Sequence, residues 1–373
     1  MSELNIMMSL ANHQIPRFVK NPESDGHFRA LKERVNEVMK TLPASRISSM
    51  RTRAFILPAL YFGIYTLALF QTSYILFCLA YVFLGIMVVL IFLNLIHEAS
   101  HNTLFRSKNN NRRYLLLFDL IGANSFMWYS RHVTLHHNYT NVVGWDSDIE
   151  KSQFLKVHPH DPEKQVRHYQ HLLIFLYPLF ITNWFLIRDF KDFFNPKMIV
   201  RKLGDPPGKE YAKLFFFKLF FVFYLVVVPA LVSDFSWWQA ALALFIMLLS
   251  AGFFALSVLL PPHVNTSNRF PVVNADMKLE QSWLMHQLNT TNDVVTSNWI
   301  TRHIMANCNY HIAHHLFPNI SHVYAKEVTD TIHSYCLQTG LPYRSYPFLT
   351  TLVNHYKLIK TNGRWQDILE EDM

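Results

Sequence analysis

Four stretches of the chain run apolar for long enough to cross a lipid bilayer, a length of about 20 mostly apolar residues. The first, residues 54–70 (AFILPALYFGIYTLALF), ends at Gln71, Thr72 and Ser73. The second, 74–96, carries no charge. The third, 213–232, has Lys213 at its edge and Lys218 within it, and the fourth, 235–260, is again free of charge. The pattern predicts four spans in two hairpins, joined by short turns at 71–73 and 233–234. Those turns hold no Lys or Arg, whereas the outer flanks are rich in them. Cationic flanks stay on the cytoplasmic side, so both termini and residues 97–212 are expected there. Two other apolar stretches do not read as spans. Residues 114–127 are short and interrupted by Asp119; residues 171–187 contain Pro178, Thr182 and Asn183 and read as an interfacial or core helix. The expected division is a cytoplasmic segment 1–53, a membrane domain 54–350 and a plain polar tail 351–373. No short apolar core of a cleaved signal peptide follows Met1.

Composition supports a membrane protein with large polar parts. Hydrophobic residues make up 51% and charged residues 16%, below the ~25% usual in soluble domains. This excludes intrinsic disorder. The mean hydropathy of +0.10 leaves room for a sizeable polar portion. The net charge of +8 suits a face turned to anionic lipid, and no basic stripe points to nucleic acid. Three scattered cysteines, Cys78, Cys308 and Cys336, form neither a disulfide framework nor a thiolate metal site.

The chemistry lies in the histidines. His97 and His101 follow the second span as H-E-x-x-H, one helical turn apart. His132, His136 and His137 repeat the i,i+4 pair with an extra imidazole, and His311, His314 and His315 form a third cluster. An imidazole-rich set suits Zn, Cu, Fe or Ni. Eight are too many for one four-coordinate zinc and suit two metal ions. Two predicted spans separate the second cluster from the third, so all three reach the same membrane face. A crossing at 171–187 would split them. His263, after Pro261 and Pro262 at the end of the fourth span, is a ninth candidate ligand. Asp146, Asp148, Glu98 and Asn265 are candidates for orienting the imidazoles. His286 and His303 read either as helix-surface residues or as orienting ones. His13, His27, His158, His160, His168, His171, His322, His333 and His355 read as solvated or structural.

The three clusters and their context resemble the integral-membrane fatty acid desaturases. His136-His137-Asn138-Tyr139-Thr140-Asn141 is followed by Asp146-Ser147-Asp148, and Asn309-Tyr310-His311 leads to His314-His315-Leu316-Phe317-Pro318. The resemblance covers roughly residues 30–350. It implies an all-α integral-membrane fold of four helices with a cytoplasmic helical cap carrying a diiron centre. It also implies O2-dependent removal of two hydrogens from an acyl chain held as acyl-CoA, on acyl carrier protein or in a lipid. The membrane would be a bacterial inner membrane or the endoplasmic reticulum. The chain differs from the front-end subgroup, which usually starts the third box with Gln where His311 stands. It also lacks that subgroup's His-Pro-Gly-Gly motif of a fused cytochrome b5. No Gly-rich nucleotide fingerprint occurs, so electrons are expected from a ferredoxin or cytochrome b5-type donor.

Physical logic leads to the same chemistry: an unactivated methylene offers no handle to side-chain acids or bases, and cofactors carry such oxidations. The acyl chain is expected in an apolar tunnel between the spans. Alternatives within the same chemistry are a lipid hydroxylase or acetylenase. An intramembrane zinc protease using His97, Glu98 and His101 leaves six clustered histidines unused. A metal transporter places its ligands within the spans, where this chain has none.

Overall fold

The computed structural model describes residues 15–149, 156–159, 169–176, 179, 184–259, 262–295 and 298–363. Four helices are long and apolar enough to cross a membrane: Ser45–Leu69, Tyr74–Ser100, Gly208–Val232 and the helix within Trp237–Leu259. Three run past their apolar stretches, because backbone hydrogen bonding continues where hydrocarbon stops. The expected boundary at 53/54 therefore falls inside a continuous helix. Residues 1–14, 260–261 and 364–373, with His13, His160 and His168, lie outside the described residues.

The two hairpins meet at their turns. Tyr74 donates through its hydroxyl to Gln239 O at 3.0 Å, and the Phe77 and Phe235 rings lie 4.7 Å apart. Further along, spans two and four touch backbone to backbone. A Cβ built on Gly85 would lie 2.0 Å from Ser250 Oγ and 2.2 Å from the Met247 carbonyl oxygen. Small residues permit such approach in membrane bundles, and Ser250 Oγ donates to Val82 O at 2.9 Å.

Span three carries a wide turn over Phe223–Val227 and a proline at 229. Proline has no N–H, which leaves the Leu225 carbonyl without its helical donor. The Tyr81 hydroxyl supplies one at 2.6 Å. The Tyr65 hydroxyl donates to Tyr224 O, and the Tyr61 and Tyr224 hydroxyls meet at 2.8 Å. In hydrocarbon these groups have no water to turn to. The two lysines of this span face protein. Lys213 Nζ lies 2.8 Å from Asp119 Oδ2, and Lys218 Nζ lies 2.8 Å from Asp189 Oδ2. Residues 114–127 do not span: Lys108–Tyr114, Leu116–Leu120 and Ser125–Trp128 are short helices.

The cap is built from Pro22–Thr41, capped by the Asn21 side chain, and Ala325–Thr339. They bury Leu31 and Val35 against Val328 and Ile332. Two two-residue parallel strand pairs tie Arg17–Phe18 to Lys278–Leu279 and Asp293–Val294 to Ser345–Tyr346. Two expectations need correction. The described parts of 171–187 are a tight helix, Gln170–Leu176, and a wide turn, Trp184–Arg188, with residues 177–178 and 180–183 outside the description. The described parts wind differently, one tight and one wide, so neither is regular α-helix. Residues 351–363 are not a plain tail. They belong to the helix Phe348–Gly363, which buries Thr351, His355, Leu358 and Ile359 at helical spacing.

Candidate metal centre

All nine predicted imidazoles converge at the end of the bundle opposite the hairpin turns. The helix of span two widens over Phe92–Ile96 and delivers His97 and, at its end, His101. The second cluster lies in a wide-turned segment, Tyr129–His136, where the His137 N–H donates to His132 O at 3.0 Å, five residues back. This winding puts His132 with His137 rather than with His136. The third cluster occupies the short helix His311–Leu316, fixed by the Asp293 carboxylate, which accepts from the Ile312 N–H at 2.7 Å.

The donors sort into two imidazole groups, in each of which the ligating atoms lie within 4.8 Å of one another, and a smaller set of His132, His136 and Asp148 links them. One holds His97, His101, His132, His137 and His314; the other holds His136, His263, His311 and His315. Every cluster except the first contributes to both. His263 stands in the loop after span four, with its carbonyl accepting from Asn141 Nδ2 and Asn268 Nδ2, each at 2.9 Å.

The hydrogen bonds show what this set is built to hold. His132 Nδ1 lies 3.0 Å from Asp148 Oδ2, and His136 Nδ1 lies 3.0 Å from both oxygens of Asp146. The Thr140 hydroxyl donates to His136 O, so its oxygen is free to accept from His315 Nδ1 at 3.2 Å. His263 Nδ1 faces Thr290 O at 3.4 Å. With their protons on Nδ1, His132, His263 and His315 present Nε2 as a bare lone pair. Yet His263 Nε2 lies 3.2 Å from His136 Nε2, 3.1 Å from His315 Nε2 and 2.6 Å from His311 Nε2. His132 Nε2 is likewise 3.2 Å from the Nε2 atoms of His97 and His137. Lone pairs at such separations repel unless a cation lies between them. Metal–imidazole bonds of ~2.1 Å at right angles place neighbouring nitrogens about 3 Å apart. The residues therefore fit two metal ions.

Burial, followed by the crowding of neighbouring imidazoles, pushes the pKa of His132, His137, His263, His314 and His315 well down. Burial brings His101 to about 4 and His311 to about 3. They stay neutral, as ligands must. His136 differs: burial opposes its charge, but Asp146 and then Asp148 raise it to about 9.

Asp146 and Asp148 thus stand where they were expected. Glu98 does not orient a clustered imidazole. Its Oε1 lies 3.0 Å from His322 Nδ1 and accepts from the His322 N–H at 3.1 Å, while Thr103 donates to Oε2 at 2.7 Å. Asn265 donates to Asn292 Oδ1. His286 is buried beside Phe18, not on a helix surface, and His303 bonds Arg53. Sequence reasoning missed Thr140, Thr290 and the buried Arg131, which precedes His132 and pairs with Asp189 and Asp192. Only the Thr140 position, four residues after His136, carried a local signal. A cavity of ≈30 Å³ adjoins the imidazoles, with His97, His311 and His314 against Phe317, Ile320 and Val328. Its wall comes from residues 306–328 more than from the spans.

A family model described as Fatty acid desaturase matches residues 46–347. The sn-1 linoleoyl-lipid 6-desaturase of Synechocystis sp. is 27% identical over 289 residues, covering 75% of this chain and 80% of the relative. The acyl-lipid (8-3)-desaturase of Physcomitrium patens is 28% identical over 352 residues, covering 91% and 72%. A probable Delta(5) fatty acid desaturase C of Dictyostelium discoideum is 24% identical over 379 residues, covering 95% and 80%.

Proposed function

The chain belongs to the fatty acid desaturase family, and on that premise we propose how its clustered imidazoles serve the reaction. It is a membrane oxidoreductase that introduces a double bond into a fatty acyl chain. In our reading His97, His101, His132, His137 and His314 hold one iron, and His136, His263, His311 and His315 hold a second. The observation that carries this is the convergence of the Nε2 atoms of His136, His311 and His315 on that of His263. His311, standing where front-end enzymes usually carry Gln, is part of that meeting. Two irons bound there would supply, with O2 and electrons from a ferredoxin or cytochrome b5-type donor, the oxidising power that unactivated methylenes require.

The chain's own residues do the rest. Asp146, Asp148, Thr140 and the Thr290 carbonyl hold the Nδ1 protons, which fixes each ring's tautomer and direction. Burial keeps water off all of the imidazoles but His97 and His314, which are half-buried. Arg131 ties the second cluster to Asp189, which also takes Lys218 of span three, so the box keeps its depth relative to the bilayer. The relatives' names and the four spans support an acyl chain carried by a membrane lipid as substrate. The working unit is the membrane domain, 54–350, with its flanking helices. Both termini and the metal centre face the cytoplasm.

Expression in a host of known lipid composition, with mass spectrometry of its fatty acids and elemental analysis of the purified protein, tests this. A new unsaturated acyl chain and two irons per chain are expected. A single tightly bound zinc per chain with no new double bond refutes the reading. For topology, Thr72→Cys should label from outside intact cells and Asn195→Cys should not; the reverse would place the centre on the other face.

A further inference from the structure

The turn at residues 298–303 presents a surface that the metal centre does not use. Asn298 caps the short helix Trp299–His303: its Oδ1 accepts from the Thr301 N–H at 3.0 Å, and its own N–H donates to Thr301 Oγ1 at 2.9 Å. This fixed turn holds Trp299 62% exposed and Ile300 53% exposed. Large apolar side chains presented side by side on a rigid turn mark an interaction surface.

Its depth is set by one hydrogen bond. Arg53 Nη2 donates to His303 Nδ1 at 2.8 Å, and the Trp299 and His303 rings lie 5.3 Å apart. Arg53 is the last cation before the apolar run of span one, whose Phe55 and Ile56 are 70% and 49% exposed and open its outward face. Trp299 and Ile300 therefore sit level with the start of the hydrocarbon. The charges agree. Arg53 bonds His303 and Asn94, and Arg302 bonds the Asn298 carbonyl. Among the described residues, neither guanidinium has a carboxylate partner. An exposed Trp with unpaired cations at that depth suits the headgroup layer of an anionic leaflet.

We propose that the turn 298–303 docks into the membrane beside span one, with Trp299 and Ile300 at the boundary of headgroups and acyl chains and with Arg53 and Arg302 on anionic lipid headgroups. The chain continues from this turn into Ala306, Asn307 and Cys308, which line the cavity against His97 and His314. Ala306 and Asn307 are left-handed, with φ of 49° and 56°, and turn the backbone sharply from lipid to cavity. Docking thus sets the cavity wall at the lipid boundary, where an acyl chain of a bilayer lipid enters directly. This consequence for substrate rests on the acyl-lipid reading above; the docking itself does not.

The test uses the full chain in vesicles of phosphatidylcholine with and without phosphatidylglycerol. Tryptophan fluorescence is quenched by lipids brominated near the glycerol end of their chains. Trp299→Phe is expected to remove a quenched component seen in the native protein. That component should be larger with phosphatidylglycerol, a preference that Arg302→Gln reduces about fivefold. Equal quenching in the native protein and Trp299→Phe overturns the proposal, as does cross-linking of Trp299→Cys between two copies in place of quenching. In turnover, Trp299→Ser with Ile300→Ser should raise KM for bilayer-embedded substrate with kcat unchanged. If only a soluble acyl carrier is turned over while the quenched component persists, the acyl-lipid reading fails and the docking stands.

Discussion

Asp146 offers a way to disturb one metal site without touching a ligand. Both its oxygens lie 3.0 Å from His136 Nδ1; Oδ2 also accepts from the Asn141 N–H at 2.7 Å, and Oδ1 from the Asp148 N–H at 2.9 Å. In Asp146→Asn one oxygen becomes an NH2 group. Whichever way the amide turns, that group faces a backbone N–H, so one buried donor loses its acceptor, at a cost of about 1–3 kcal/mol. The imidazole loses its charged acceptor as well. Orienting partners of metal-bound histidines are typically worth ~10–100-fold in affinity or activity, which is roughly 1.4–2.7 kcal/mol at 1.36 per decade. The loss should fall on the group of His136, His263, His311 and His315. Metal per chain is expected to drop from two toward one as chelator is raised, with desaturation falling at least tenfold. Asp148→Asn should weaken the other group instead, through His132. Elemental analysis across a chelator series, with fatty acid profiles from the same cells, gives the readout. An Asp146→Asn protein that holds both metals as the native one does, with undiminished product, would refute the reasoning.

Other outcomes follow from the same structure. Gly85→Ala drives a Cβ into Ser250 and the Met247 carbonyl and should lower the melting temperature in detergent sharply; Gly26→Ala, with nothing within 4 Å of its Cβ, should be neutral or stabilising by up to ~1 kcal/mol. Glu98→Gln should retain measurable desaturation, because Glu98 holds His322 rather than a ligand, while His314→Ala abolishes it; a dead Glu98→Gln beside an active His314→Ala would reverse the assignment. Burial lowers His286 from 6.5 to about 4. The unfolded chain therefore takes up a proton first, and stability present above pH 6.5 is lost as pH falls toward 4, by about 3 kcal/mol. A His286→Gln variant should show a shallower fall in melting temperature over that window, and an unchanged slope would count against it.

The spans were legible because uncharged runs of that length have few other uses, and the clusters because histidines recur there at helical spacing. Which imidazoles group together was not legible. The i,i+4 spacing pairs His132 with His136, whereas the wide turn at 129–136 pairs His132 with His137. One extra residue per turn leaves no mark in the sequence of polar and apolar positions. Glu98 was misassigned because its partner, His322, lies 224 residues away. The helix after Phe348 was legible in principle, since Thr351, His355, Leu358 and Ile359 keep a helical period, but two of the four are polar and hid the stripe.

The lysines of span three bear on how the chain enters the membrane during synthesis. Lys218, within the span, would oppose transfer of this helix into lipid as a bare cation, and Lys213 stands at its edge. Their counter-ions, Asp119 and Asp189, both lie earlier in the chain and have left the ribosome before the lysines emerge. Span three thus has its neutralising partners waiting when it reaches the translocon, provided that residues 114–192 have already folded at the membrane surface. Insertion of the second hairpin is in this way eased by the segment that carries the second histidine cluster, and a nascent chain with that segment misfolded is expected to insert span three less efficiently.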